Sequence, residues 1–329
     1  MALRFRENDR SSGPLSRAVS GSLPETIDEA LNFAVAHSSE WAAAERLEQW
    51  EALASIAAHD LAVARAVEPH FDAVNIFSEL GEAPPRERFG VFAAEGGNDP
   101  LTARSTGHGW ELTGTKPWCS LAAQLDSALV TAHISDEERA LFRVDLRQNG
   151  VTVVPGAWHA RGLAEIPSGP IRFESVAAQA VGAPSWYLTR EGFALGGIGV
   201  AACWYGGAVG VARTVHDAAV TRPNPHLLAH LGAIDARLQD ARRALNAASA
   251  PGIDPADTKI LAKRVRATVA NTCEEVLGRA ARALGPGPLA LDAAHAKQTA
   301  DLALYVRQHH AERDQESLGR SVAELRHPW

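Results

Sequence analysis

The chain is poor in cysteine, with three among 329 residues: Cys119, Cys203 and Cys273, far apart and without a Cys-x-x-Cys pair. That spacing argues against a disulfide framework and against a metal site, and for a reduced, cytoplasmic setting. A basic stripe is also lacking. Lys and Arg are scattered and the net charge is −7, so nucleic acid is not an expected partner. The opening MALRFRENDRSSG has no apolar segment behind it, and no secretory signal is expected. No internal repeat, low-complexity tract, Walker loop or Ser-His-Asp arrangement stands out. Gly196, Gly197 and Gly199 follow no strand, so they do not make a dinucleotide fingerprint. One long apolar run is present, from Gly192 to Ala212, free of charge and carrying seven glycines. It is long enough to cross a bilayer, but the glycines and the helical sequence after it predict a close-packed central helix, not a membrane span.

What remains is ordinary globular composition, 46% hydrophobic and 22% charged, in a chain long enough for two or three domains. Residues 1–21 read as a loose leader. Ser22-Leu23-Pro24-Glu25 reads as a helix start. Trp41, Leu47, Trp50, Leu53, Ile56 and Leu61 follow at helical spacings. Pro69 marks a break or a new first turn, before Phe71, Val74, Phe77 and Leu80. From Arg88 the period changes to that of short strands: Phe89–Ala94, Leu101–Thr106, Trp110–Thr113, Ser127–His133, Leu141–Leu146, Val151–Val154 and Ile171–Glu174, separated by Gly, Pro, Asn and Asp. Seven short strands in under a hundred residues predict a small antiparallel barrel or sandwich. From Ser185 helices return: the glycine-rich run, His226–Ala248, Asp254 to about Leu284, and Leu289–Leu318. These predict an antiparallel four-helix bundle. The expected organisation is therefore α+β multidomain, with helices over 1–87, a barrel over 88–184 and a helical bundle over 185–329.

Two motifs inside the strand region carry chemistry. AAEGGND spans Ala93 to Asp99, and LTGTKPWCS spans Leu112 to Ser120. In an extended segment Trp118 and Ser120 would point the same way, so one flat ligand could meet both. Trp118 as a plain barrel-core aromatic is the alternative from the residues alone. The pair of motifs, in this order, resembles the middle domain of the acyl-CoA dehydrogenase family. There a Thr-Glu-Pro-Gly-Ala-Gly-Ser-Asp loop precedes Asn-Gly-Thr-Lys-x-Trp-Ile-Thr. GLAEIPSGPIRFESV, from Gly162 to Val176, is similar to the end of that domain, and the order helices, strands, helices is the family's. The likeness is concentrated over residues 88–215.

The resemblance implies FAD, with FMN as the alternative. Trp118 and the Ser120 hydroxyl would lie against one flavin face, and the loop Ala94, Glu95, Gly97 and Asn98 would approach the cofactor and its phosphates. Arg222 stands where the family holds FAD from a neighbouring subunit, although the motif is reduced to Arg222-Pro223-Asn224-Pro225-His226. ALGPGPL at Ala283 to Leu289 replaces another cofactor segment. A homodimer or homotetramer is implied, and a hetero-oligomer with a complete partner subunit is an alternative. The family's reaction takes a proton from an acyl-CoA thioester with a Glu while hydride moves to the flavin. That Glu-Gly-Thr motif is missing here. Aligning Asp301 and Tyr305 puts His309 about where the Glu belongs, and i,i+3 spacing puts Glu312 beside it on one helix face. A solvated helix face is the plain alternative for these residues, and two ligands alone do not suggest a metal. The reaction the resemblance implies is acyl-CoA dehydrogenation with an altered base; the alternatives are monooxygenation with reduced FMN, as in the dibenzothiophene and phenol hydroxylases of the same fold, and a non-catalytic partner subunit.

Overall fold

The computed structural model describes residues 2–6 and 13–327. Helices α1 (Pro14–Gly21), α2 (Ile27–Ala36), α3 (Ser38–Ala43), α4 (Arg46–His59) and α5 (Leu61–Glu79) come first. The first described segment is not loose. Phe5, Leu15 and Val19 are buried, and the Phe5 amide donates to the Glu51 carboxylate at 2.6 Å. Residues 7–12 of the expected leader lie outside the described residues. The first strong helix start is at Thr26, not Ser22. Thr26 accepts from the Glu29 amide and the Glu29 carboxylate reaches back to the Thr26 amide, a reciprocal cap. Pro69 does not break the chain. It sits inside α5, which starts on Asp60 accepting from the Ala62 and Val63 amides. A mid-helix proline costs on the order of 3 kcal/mol. Helix α5 offsets this by burying Val63, Val67, Phe71, Val74 and Phe77 on several sides.

All seven predicted strands form: β1 (Phe89–Phe92), β2 (Thr102–Ser105), β3 (Trp110–Lys116), β4 (Ser127–His133), β5 (Arg139–Asp145), β6 (Val151–Val153) and β7 (Ile171–Val181). Strands β4, β2, β3, β7 and β5 close on themselves through the β4–β5 pairing, with β1 added beside β4 and β6 beside β7. The barrel is mixed, not purely antiparallel: β1 and β2 both run parallel to β4. The return from β1 to β4 is long enough for a parallel crossover because the β2–β3 hairpin occupies it.

The second helical part holds the short α6 (Trp186–Thr189) and three long helices, α7 (Glu191–Thr221), α8 (Pro225–Ala248) and α9 (Pro255–Leu284). The apolar run is α7, which packs mainly on α4 and α9 and is 61% buried over its most apolar stretch, as a core helix is. Glycine is required where α7 crosses α4. A Cβ on Gly206 would stand 2.1 Å from the Ala54 carbonyl oxygen. Gly206→Ala is expected to destabilise the chain by about 1–3 kcal/mol in urea denaturation. The expected fourth helix over Leu289–Leu318 is not continuous. It is divided into α10 (Pro286–Leu291), α11 (Ala293–Tyr305), a 3-10 turn (Val306–Gln308) and α12 (Glu312–Ala323). Asp292 caps α11 by accepting from the His295 amide, and Ala311 takes a positive φ of 45° before α12. The larger of two hydrophobic clusters among the described residues runs from α1 through the barrel to α11, and a smaller one packs α5 and α6 on β1, β4, β5 and β7.

Candidate functional site

The site is built where the turn after β3 meets α5. Trp118 and Leu121 both adopt left-handed backbone, with φ of 59° and 58°. For residues this large such conformations cost roughly 1–3 kcal/mol each and persist only where their surroundings impose them. Here the surroundings are the segment after β6. The Cys119 amide donates to the Gly169 carbonyl at 3.0 Å and the Leu121 amide to the Pro167 carbonyl at 2.8 Å. The result separates the two side chains expected to share a face. Trp118 is 60% exposed and Ser120 only 6%. The Trp118 indole meets Trp158 edge-on, with centroids 6.4 Å apart, and Trp158 is fixed by donating to the Leu163 carbonyl. Trp118 is thus not a barrel-core aromatic but a flat surface held toward solvent. Burial pushes the Cys119 thiol between them up to about 12, which leaves it inert as a nucleophile.

Ser120 sits in an ordered chain of polar groups. Ser168 donates to the Ile166 carbonyl at 2.9 Å, so the 2.7 Å contact between the hydroxyls has Ser120 donating to Ser168. Ser120 Oγ in turn accepts from Arg65 Nη2 at 2.8 Å. The Arg65 guanidinium also lies over the Tyr305 ring, 5.7 Å from its centroid, and its Nη1 is 3.7 Å from Glu68 Oε2. Arg65, Glu68, Asp72, Asn75 and Glu79 recur at i+3 and i+4, so they share one face of α5. Beyond Arg65, the residues Glu68, Asp72, Asn75 and Glu79 line a cavity of about 350 Å³ between α4, α5 and α7, walled also by Trp41, Trp50 and the side-chain-free positions Gly192, Gly196 and Gly199. Arg190 pairs with Glu79 on that wall and, at 3.4 Å, with Asp72. Burial, reinforced by the like charge of Asp72 and opposed by Arg65 and Arg266, pushes the Glu68 carboxyl up to about 7. Burial likewise raises Asp72, against the pull of Arg190.

The first motif lies alongside the second. The Thr115 hydroxyl donates to Asp99 at 2.9 Å, and the Lys116 ammonium donates to Glu95 at 2.7 Å and to Thr131 at 2.8 Å. Glu95 also pairs with Arg139 at 3.1 Å and His133 at 3.3 Å. Burial works against the Glu95 carboxylate, but the bonds from Lys116 and Arg139 outweigh it and hold its pKa below the usual value. The Glu95 side chain is therefore the anchor of its loop. Ala94, Gly97 and Asn98 are exposed beyond it, and a Cβ on Gly96 or Gly97 would meet open space.

His309 and Glu312 are not neighbours on a helix face. His309 is extended after the 3-10 turn and 8% exposed, whereas Glu312 is the exposed first residue of α12 beyond the Ala311 kink. The His309 ring packs edge-on to Trp204, 6.5 Å between centroids. Burial lowers its pKa, with Arg266, His310 and Arg307 in the same direction and Asp314 opposing, so the ring is neutral at pH 7. Arg266 stacks on the other ring contact of this cluster, 4.6 Å over Trp204, and donates to the carbonyls of Gly197 and Gln308. Trp204 Nε1 is buried without a hydrogen-bond partner, a state that costs roughly 1–3 kcal/mol unless a further molecule completes it. Arg222 caps α7, about 27 Å along the helix from Trp204. The fold gathers Trp118, Ser120 and the Glu95 loop; it does not bring Glu312 or Arg222 of the same chain to them. Arg65, Glu68, Arg190 and Arg266 were not anticipated. Their only sequence signal was a set of charges inside helices that otherwise read as buried.

Across its whole length the chain resembles solved structures. It matches FMN-bound TdsC from Paenibacillus sp. A11-2, a dibenzothiophene monooxygenase, with 18% identity, 93% of this chain and 92% of that one covered, and a TM-score of 0.76. KijD3 in complex with FMN and dTDP-3-amino-2,3,6-trideoxy-4-keto-3-methyl-D-glucose matches with 16% identity, coverage of 94% and 90%, and a TM-score of 0.74. The nitrososynthase from Micromonospora carbonacea var. africana matches with 17% identity, coverage of 99% and 100%, and a TM-score of 0.75. No family model and no curated protein matches the sequence. At these identities the likeness shows the fold alone, a mixed α+β chain with a small closed barrel and C-terminal helices.

Proposed function

We propose that this chain is a flavin-dependent oxidoreductase that holds FMN and oxidises a small molecule with oxygen, in the manner of a monooxygenase. The observation that carries the reading is the Trp118 turn. A 60% exposed indole is held in left-handed backbone beside a hydroxyl already wired into the protein. An exposed aromatic in imposed strain is a ligand platform more readily than a folding device. The residues fit a flavin. Trp118 would offer a flat exposed face and Gly96 and Gly97 open backbone for a phosphate, while the buried Ser120 hydroxyl, tied to Arg65 and Ser168, would support the turn that presents them. When bound, a flavin supplies two-electron chemistry between a reductant and oxygen. Around it, Arg65 orients the Ser120 hydroxyl, and Lys116 and Arg139 hold the Glu95 loop.

Acyl-CoA dehydrogenation is the less favoured activity. Where that reaction would need a carboxylate on the C-terminal segment, a buried, neutral imidazole packs against Trp204. FMN suits the chain better than FAD because the two segments expected to serve the adenosine half are reduced, to Arg222-Pro223-Asn224-Pro225-His226 and to ALGPGPL at Ala283 to Leu289. The protein is expected to bind FMN, and Trp118→Ala to weaken that binding at least tenfold with little change in stability, read by flavin fluorescence and urea denaturation. Tight copurification with FAD, and anaerobic bleaching of that FAD by an acyl-CoA, would restore the dehydrogenase reading.

A further inference from the structure

We propose that the cavity between α4, α5 and α7 is a binding site for a small protonated amine that also carries an oxygen acceptor. None of Trp118, Ser120 or the Glu95 loop lines it, so the inference does not rest on the flavin reading. Its volume, about 350 Å³, is that of a small-ligand pocket, and glycines keep it open. Gly192, Gly196 and Gly199 share one face of α7 at i, i+4 and i+7. A Cβ on Gly192 would collide with the Glu79 carboxylate, one on Gly196 would stand 3.2 Å from Asp72 Oδ1, and one on Gly199 would stand 3.7 Å from Trp50 Nε1. The order Glu79, Asp72, Glu68 along α5 therefore puts Glu68 level with Gly199 and Trp50, at the inner end of the cavity. Trp50 is 3% exposed there, and among the described residues nothing accepts from its Nε1. A buried donor left unpaired in a cavity wall is completed by what occupies the cavity.

The charges on the wall select the ligand. Three carboxylates line the cavity, and among the described residues two guanidiniums pair with them. Arg190 is divided between Asp72 and Glu79. Arg65 reaches Glu68 only at 3.7 Å, too far for a hydrogen bond, and its other nitrogen is committed to Ser120. Arg266 is engaged by Trp204 and two carbonyls, and Arg46 lines the cavity without pairing to any of the three. Burial raises the carboxyls of both Glu68 and Asp72 in spite of these arginines, as expected where desolvation exceeds the counter-charge. Glu68 and Asp72 are one turn apart on the same face of α5, so one ammonium group, with three donors, can reach both. An adjacent hydroxyl or carbonyl oxygen would then accept from Trp50 Nε1. The other walls are apolar and rigid. Leu53 and Leu195 line them, and Trp41 is fixed by stacking on Phe71, 4.1 Å between centroids, and by donating to Asn75 at 3.0 Å. An anion would meet unpaired carboxylate, and a neutral ligand would leave that charge uncompensated.

Calorimetric titration of the full-length protein with phenylethanolamine tests the site. The comparison compounds are phenylethylamine, which lacks the hydroxyl, phenylethanediol, which lacks the charge, and mandelate, which reverses it. Phenylethanolamine is expected to bind about tenfold more tightly than the diol, and mandelate not to bind. Glu68→Gln should weaken the amine about tenfold and the diol little. Trp50→Phe should weaken phenylethanolamine roughly fivefold and leave phenylethylamine unchanged, a pattern that a general loss of structure does not produce. Gly199→Leu, which fills the inner end, should abolish binding while circular dichroism shows the variant folded. Equal binding of amine and diol, undiminished binding to Glu68→Gln, or an equal loss for both amines in Trp50→Phe would overturn the proposal. So would failure of all four compounds to bind, which would leave the cavity to solvent. No readout involves flavin, so either outcome leaves the flavin reading to its own test.

Discussion

Asp301→Ala is expected to lower the stability of the chain by about 3 kcal/mol and to weaken FMN binding, although Asp301 touches neither Trp118 nor Ser120. Asp301 is 2% exposed on α11. One oxygen accepts from the Leu163 amide at 2.5 Å and the other from Lys297 at 3.0 Å. Lys297 also pairs with Asp60, the cap of α5, and with Glu165. Burial raises the Asp301 pKa and Asp60 adds to it, with the Leu163 amide and Lys297 opposing, so the carboxylate depends on these partners to stay ionised. Alanine leaves a buried amide without an acceptor, at roughly 1–3 kcal/mol, and breaks a buried ion pair, for which losses of about 3–5 kcal/mol are typical. Lys297 keeps two carboxylates, so the total belongs near the lower end. The binding effect follows from position. Leu163, itself at φ 49°, begins the segment that presents Ser168 to Ser120 and the Pro167 and Gly169 carbonyls to the Trp118 turn. At Gly162 the segment approaches so closely that a Cβ would stand 2.0 Å from the Ala300 carbonyl oxygen. Asp301→Asn retains the acceptor for Leu163 and should lose about half as much. Urea denaturation and amide exchange at Leu163 read the two effects. A loss below 1 kcal/mol for alanine, with Leu163 exchange unchanged, would show that the segment is held by packing alone.

The strands were legible because each alternates and is bounded by turn residues. Ser127–His133 was placed to the residue, and β7 was cut short only because Ala177–Val181 carries little apolar bulk to mark it. The parallel pairing to β4 was not legible, since register across a long crossover is set by tertiary packing. Pro69 misled for a related reason: its local cost is outweighed by burial that only the partners of α5 supply. The C-terminal segment misled in the opposite direction. The Leu289–Leu318 pattern is helical throughout, but Asp292 stops one helix and caps the next, and Ala311 turns the chain with neither glycine nor proline to announce it. Within the site, Trp118, Ser120 and the Glu95 loop could be named because their chemistry is local to two short motifs. Glu68 could not. Its meaning depends on Arg266 and on the α7 glycines, which arrive from more than a hundred residues away.

Glu68→Gln is expected to change how stability depends on pH more than any other single substitution at the site, because in the wild type two buried groups mask each other. Glu68 has its folded pKa raised from 4.5 to about 7. Its contribution is fully present below 4.5 and is lost as pH rises toward 7, by about 3 kcal/mol at the usual 1.4 kcal/mol per pH unit. His70 does the reverse. Burial lowers its pKa from 6.5 to about 4, and the geometry agrees. The Phe89 amide donates to Nδ1 at 3.2 Å, so that nitrogen carries no proton, and Nε2 donates to Ser38 Oγ at 2.8 Å, whose own proton goes to the Ala34 or Val35 carbonyl. Protonating Nδ1 would cost that bond. The His70 contribution is therefore present above 6.5 and lost as pH falls toward 4, again by about 3 kcal/mol. Between pH 4.5 and 6.5 the unfolded chain binds one proton more at His70 and one fewer at Glu68, so these two slopes cancel. Glutamine removes one of them. In Glu68→Gln, stability should rise by about 3 kcal/mol between pH 4 and 6.5 relative to wild type and stay above it by up to that amount at pH 8. Urea midpoints taken at intervals from pH 4 to 8 give the difference curve directly. Parallel curves for the two proteins would mean that the Glu68 carboxyl titrates alike in the folded and unfolded chain, so that burial does not shift it.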